Sequence, residues 1–180
     1  MTDLTLLTIC GALRAGSTNR LLLAEAARIF GAARVVMGDL RLPLYDNDLE
    51  DTSGIPDEVQ MLADQIRGAD AVVISTPEYN KSLSGVLKNA LDWVSRVPGA
   101  AWRDKPVAIV SAADGRAGGE RAQFALRLCM VAFRPRLLTG PEVMVANSRQ
   151  AFDAEGRLSD ARTVKGLTEL MQALRVEAMR

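Results

Sequence analysis

The chain has 180 residues, with 22 basic and 22 acidic side chains and no histidine. That length suits a single domain, residues 1–180, with a sizeable core, and the zero formal charge offers no field to hold nucleic acid or anionic lipid. The missing histidine excludes a Ser-His-Asp or Cys-His nucleophile pair and removes the commonest metal ligand, so any hard chemistry falls to a cofactor.

Leu4 to Cys10 is a short apolar run ending at Gly11, followed by a helical pattern from Ser17 to about Phe30 with Leu21, Leu22, Ala26 and Ile29 on one face. Arg34 to Met37 and Ala71 to Ser75 are β-branched, nearly continuous apolar segments, and such continuity predicts parallel strands covered on both faces. A helix from about Ile55 to Arg67, with Pro56 in its first turn, separates them. Leu83 to Val97 reads as a third helix, leading through Pro98 and Gly99 to a fourth strand, Val107 to Ala112, and a fourth helix from about Gly118 to Ala132. The fifth strand falls within Arg136 to Val145, interrupted by Gly140 and Pro141, and Asp160 to Met179 supplies a closing helix. Residues 38–56 are expected to form an irregular rim loop.

Strand and helix alternate about five times, which implies right-handed crossovers and a three-layer α/β fold of flavodoxin-like type. The expected five-stranded parallel sheet has order 2-1-3-4-5, with helices on both faces. Asp3 stands where a secretory signal would carry basic residues, and no apolar run is long enough to cross a bilayer, so a cytoplasmic protein with no membrane partner is expected. Cys10 and Cys129 have neither metal-site nor disulfide spacing and read as packing residues; no metal site is expected.

Three loops carry the chemistry. Gly11 to Asn19 lies between the first strand and the first helix, where Ser17, Thr18 and Asn19 can add side-chain donors, Arg14 a charged fork, and the helix N-terminus its dipole, all suited to a phosphate. An ordinary glycine turn with Ser17 as a helix cap accounts for the same residues about equally well. A P-loop would need lysine where Ser17 stands, a cysteine phosphatase would need arginine where Gly16 stands, and a dinucleotide fingerprint would need a central glycine. Thr76 to Ser82 follows the third strand, with Pro77, Glu78, Tyr79 and Asn80 able to meet the heteroatom edge of a flat ring. Ser111 to Gly119 follows the fourth strand, where Gly115, Gly118 and Gly119 would let a planar ligand lie against backbone. In the expected strand order these loops are neighbours at one sheet edge.

At these residues the chain resembles the NADPH-dependent FMN reductase family, which includes flavodoxin-like quinone, azo-dye and chromate reductases. Gly11, Arg14, Ser17 and Asn19 match the family's G-S-x-R-x-x-S-x-N loop, with Ala12 in place of serine. Pro77 to Asn80 with Ser82, Gly85, Leu87 to Ala90, Asp92 and Trp93 match its P-E-Y-N-x-S-x-P-G-x-L-K-N-A-x-D-W run, with Ser84 in place of proline. The two departures are expected to remove one phosphate-side hydroxyl and to loosen a turn. The resemblance implies FMN with its phosphate on Arg14, Ser17, Thr18 and Asn19, its ring edge on Pro77, Glu78, Tyr79 and Asn80, and its flank against Ser111, Gly115 and Gly118. It also implies NADPH or NADH as electron donor and a homodimer or homotetramer. Asn89, Asp92 and Trp93 are expected to serve helix structure rather than ligand, Trp102 to be interface or core, and Trp93 and Trp102 together to add apolar surface for assembly.

Flavin chemistry needs no side-chain nucleophile, so no catalytic residue is assigned, and ping-pong hydride transfer to quinones, free flavin, azo compounds or metal oxyanions is expected. The alternative is a flavodoxin-type electron carrier, against which the absence of net negative charge argues.

Overall fold

The computed structural model describes residues 4–180, so Asp3 lies outside the described residues. Five parallel pairings build the sheet from β1 (Thr5–Cys10), β2 (Arg34–Gly38), β3 (Ala71–Thr76), β4 (Pro106–Ala112), β5 (Arg136–Leu137) and β6 (Val143–Val145). The order is β2-β1-β3-β4-β5, as the sequence implies, with β6 also on β4. Every residue of β3 and β4 is buried, which is why these segments show no polar alternation.

The helices divide between the two faces. α1 (Thr18–Phe30) and α6 (Ala161–Ala178) cover one face, packing Leu22, Leu23, Ala26, Leu167 and Met171 against Leu6, Val73, Ala108 and Val110. On the other face α3 (Asp57–Gly68), α4 (Gly85–Arg96) and α5 (Glu120–Met130) pack Leu62, Ile66, Leu91, Val94 and Leu126 against Leu7, Ile9, Ile74 and Ile109. The strand residues alternate between the two cores, so a one-residue slip would exchange them.

Three expectations need correction, whereas the fifth strand is interrupted at Gly140–Pro141 as expected: β5 pairs with Pro106 and Val107, and β6 with Val110 to Ala112. Pro141 cannot donate to a ladder, so the strand breaks there. Within residues 38–56 the chain forms α2 (Asn47–Ser53), capped by Asp46, whose side chain accepts from Asp48 N–H, and closed by Gly54 at φ +74°. No residue of α2 is buried, so no apolar periodicity could announce it. Pro56 is the N-cap of α3 rather than part of its first turn. Trp93 and Trp102 belong to the chain's own core, 0% and 3% exposed, and supply no apolar surface for assembly.

The long segment after β2 is nevertheless fixed, because α4 grips it. Asn89 Nδ2 and Trp93 Nε1 both donate to the Pro43 carbonyl, at 2.9 and 2.8 Å, and Tyr45 N–H donates to Asn89 Oδ1 at 2.8 Å. Tyr45 meets Trp93 edge-on at 5.0 Å. Asp92 pairs with Lys88 along the helix. This motif is structural, as its residue types suggest.

Candidate functional site

The loops after β1, β3 and β4 meet at the carboxyl edge of the sheet, and the closeness of their approach explains several small residues. Gly11 N–H donates to the Ser75 carbonyl at 2.8 Å, and a Cβ on Gly11 would lie 3.2 Å from both Pro77 Cδ and Ser84 Oγ. Ser84, where the related pattern has proline, is buried and accepts from Leu87 N–H at 3.4 Å as the N-cap of α4. The substitution therefore secures this helix start and does not loosen it. Ala12 is buried in the apolar cluster with Cys10 and Leu22. Burial pushes the Cys10 thiol up, and its Sγ donates to the Ala12 carbonyl at 3.3 Å beneath the loop.

Between these loops is a cleft of about 230 Å³. Arg14, Ser17, Thr18 and Asn19 line one side, Pro77, Glu78 and Tyr79 another, and Ala112, Ala113 and Asp114 a third. Ser17 holds the N-cap position of α1, with Oγ accepting from Asn19 N–H at 3.2 Å. Glu78 is anchored at the N-terminus of α5, where its carboxylate accepts from Arg121 N–H at 3.1 Å and complements the helix dipole.

Asn19 is brought to the cleft, but its side chain serves the fold. Oδ1 accepts from Ser75 Oγ at 2.7 Å and from Ala112 N–H at 3.1 Å, while Nδ2 donates to the Ala112 carbonyl at 2.9 Å. It ties α1 to β3 and β4, with its oxygen taken twice and one Nδ2 hydrogen left without an acceptor among the described residues.

The other expected residues stand apart from the lining. Asn80 and Lys81, at φ +49° and +67°, form a two-residue hairpin turn closed by reciprocal Tyr79–Ser82 backbone bonds of 3.1 and 3.0 Å. Positive φ at both central positions is the type I′ pattern. Ser111 is fully buried, donating to the Gly118 carbonyl at 2.7 Å and accepting from Gln123 Nε2 at 2.9 Å. Gly118, at φ +59°, is glycine because a Cβ would come within 2.6 Å of the Met144 carbonyl carbon and 2.9 Å of Ala146 N. Gly115 has open space around its Cβ position and is outside the lining.

Two lining residues have no counterpart in the sequence reading. Ser148 and Arg149 form a short 3₁₀ turn after β6, entered through Asn147 at φ +46°. Thr18 Oγ1 donates to Ser148 Oγ at 3.1 Å, and Arg149 Nε lies 3.3 Å from Asp114 Oδ2. Their place depends on the register of β6 against β4, a relation between segments that no local motif reports.

The donor set has the chemistry of a phosphate site. The Thr18 N–H has no acceptor among the described residues, and Arg14, Ser17 and Thr18 line the cleft beside it. The volume is below the roughly 300–1,000 Å³ of pockets that enclose a whole ligand. It suits an anionic group rather than a whole ligand, and Tyr79 at its edge is exposed.

Comparison with known proteins agrees with this chemistry. The family model described as NADPH-dependent FMN reductase matches residues 4–150. An NAD(P)H-dependent FMN reductase of Pseudomonas aeruginosa is 42% identical over 176 residues, covering 97% of this chain and 95% of the relative. A quinone reductase of Escherichia coli is 39% identical, covering 94% and 93%. In three dimensions the chain superposes on the flavoenzyme NAD(P)H:acceptor oxidoreductase FerB of Paracoccus denitrificans with a TM-score of 0.86, at 30% identity and 97% coverage of both chains. The sheet order, the cleft and this extent of similarity agree: the chain belongs to the NADPH-dependent FMN reductase family and is an FMN-dependent NAD(P)H oxidoreductase.

Proposed function

We propose that the chain passes reducing equivalents from NAD(P)H to a quinone or another small oxidised acceptor by ping-pong turnover at this one cleft. The observation that carries the reading is the convergence of Arg14, Ser17 and Thr18 with Pro77, Glu78 and Tyr79 around a helix N-terminus at the carboxyl edge of a parallel sheet. FMN supplies the hydride chemistry when bound. The chain's residues bind and orient: the first loop and the start of α1 take the phosphate, and the Tyr79 side supports the ring. Tyr79 is exposed, leaving room beside it for the nicotinamide and then the acceptor.

Steady-state rates over a grid of NADPH and quinone concentrations test the reading. Parallel double-reciprocal lines are expected, and intersecting lines would overturn the ping-pong order. The proposed location is the cytoplasm, where reduced nicotinamide is supplied; no helix of the described residues is long and apolar enough to cross a membrane. The proposed assembly is a homodimer or homotetramer. Phe124, Leu128 and Val131, exposed at helical spacing along α5 and the turn after it, support it in place of the two buried tryptophans. Light scattering at micromolar concentration should give a mass above the monomer's.

A further inference from the structure

Arg149 borders the cleft from a segment that the family motifs do not include, and it is held there by a weak partner. Its side chain is 81% exposed and that of Asp114 56% exposed, so their 3.3 Å pair is hydrated and contributes little. The two segments that carry the pair are firmly joined beneath it. Ala113 N–H donates to the Val145 carbonyl at 3.0 Å, and Ser148 N–H donates to the Ala113 carbonyl at 3.2 Å. The backbone is thus fixed while the charged ends are free to change partners. Thr18 Oγ1, at the helix N-terminus, reaches Ser148, the residue next to Arg149.

A phosphate monoester carries up to two negative charges and offers a guanidinium several acceptor oxygens, so it is a stronger partner for Arg149 than one exposed carboxylate. The same dianion repels Asp114, which lines the same space. We propose that Arg149 is a specificity-determining residue of the cofactor cleft, exchanging Asp114 for the terminal phosphate of FMN so that the chain selects the phosphomonoester over riboflavin. Asp114 acts as its counterweight: it holds Arg149 at the rim in the free protein and weakens phosphate binding by competing for it. This inference rests on the reading of the cleft as the FMN site.

The test is a set of fluorescence titrations of flavin-free protein with FMN and with riboflavin, comparing wild type, Arg149→Gln, Arg149→Lys, Asp114→Asn and Ser17→Asp. Arg149→Gln should lower FMN affinity about tenfold while riboflavin changes less than about twofold. Arg149→Lys should recover part of the loss, because it restores the charge without the fork. Asp114→Asn should raise FMN affinity about threefold, with riboflavin again unmoved. Thermal melts of the flavin-free proteins check that each variant is folded. An unchanged FMN-to-riboflavin ratio in Arg149→Gln overturns the inference. If Ser17→Asp collapses that ratio while Arg149→Gln does not, the cleft reading stands and only the role of Arg149 falls. If neither variant moves the ratio, the cleft reading falls and the inference with it.

Discussion

Thr18 and Asn19 are adjacent in the first turn of α1, carry similar polar groups and border the same cleft, yet they belong to different regions of it. Asn19 lies on the floor, with three of its amide's four hydrogen-bonding positions taken by Ser75 and by both backbone groups of Ala112. Thr18 lies at the wall, where its N–H has no acceptor among the described residues and its hydroxyl bonds only Ser148. The floor spends its polar atoms on joining strands, and the wall keeps donors available. A polar residue in a ligand motif can therefore be there for the fold, and the test is whether its hydrogen bonds are already made.

Asn19→Ala gives the largest effect. It would leave a buried hydroxyl, an N–H and a carbonyl without partners, and should cost about 3–5 kcal/mol of stability in urea unfolding. Stability level with wild type, together with weakened FMN binding, would break the distinction and return Asn19 to the ligand.

Ser17→Asp probes the wall. Aspartate is as good an N-cap as serine, so stability of the flavin-free protein should stay level or rise. A carboxylate about 4 Å from a phosphate dianion costs several kcal/mol at a near-surface dielectric, so FMN affinity should fall about a hundredfold or more while riboflavin affinity hardly changes. Equal losses for both ligands would mean a damaged site rather than a phosphate contact.

Tyr79→Ala should weaken FMN about tenfold with little loss of stability, since Tyr79 lines the cleft and is exposed. Titration and melt together check it. Asn80→Leu is a poorer probe than the sequence suggests, because leucine at φ +49° strains the turn itself; Asn80→Gly removes the side chain and keeps the geometry.

The smallest effect lies away from the cleft, at a polar residue spent as fully as Asn19. Glu25 is buried between Arg28 and Arg157, at 2.9 and 3.1 Å, and the Arg28 hydrogen bond, ahead of the cost of burial, holds its carboxyl below the usual range. A depressed carboxylate pKa stabilises the fold above its unfolded value of about 4.3 and loses that contribution as pH falls through the folded value. Glu25→Gln should cost about 1 kcal/mol at pH 7, because both arginines remain hydrated, and the gap from wild type should narrow by about pH 3. A gap independent of pH would deny the ion pairs any part in it.

The strands were legible where burial on both faces leaves an unbroken apolar run, as in β1, β3 and β4, and the three cleft loops followed from their order. In the third loop, Gly118 makes room for Met144 and Gly119 for Ser111, whose Cβ a side chain would meet at 2.8 Å; both are contacts between segments that no local pattern reports. α2 was illegible because it buries nothing, and Ser148 because its contact with Thr18 spans 130 positions of sequence. The paired cap positions show a finer limit. Ser84 reads as a departure from a motif, yet its hydroxyl performs a capping role that only the backbone conformation around it reveals.

The central position of β3 has a consequence for the timescales on which the molecule opens. β3 is paired on both sides and buried along its length, whereas β2 at the sheet edge has exposed residues, Val35 and Met37 among them. Amide hydrogens of β3 should exchange with solvent only through global unfolding, and those of β2 through local opening. The Pro77–Tyr79 wall grows directly from the end of β3. The ring-side support is thereby attached to the segment expected to exchange most slowly, and it can keep its shape through the partial openings that expose the edge.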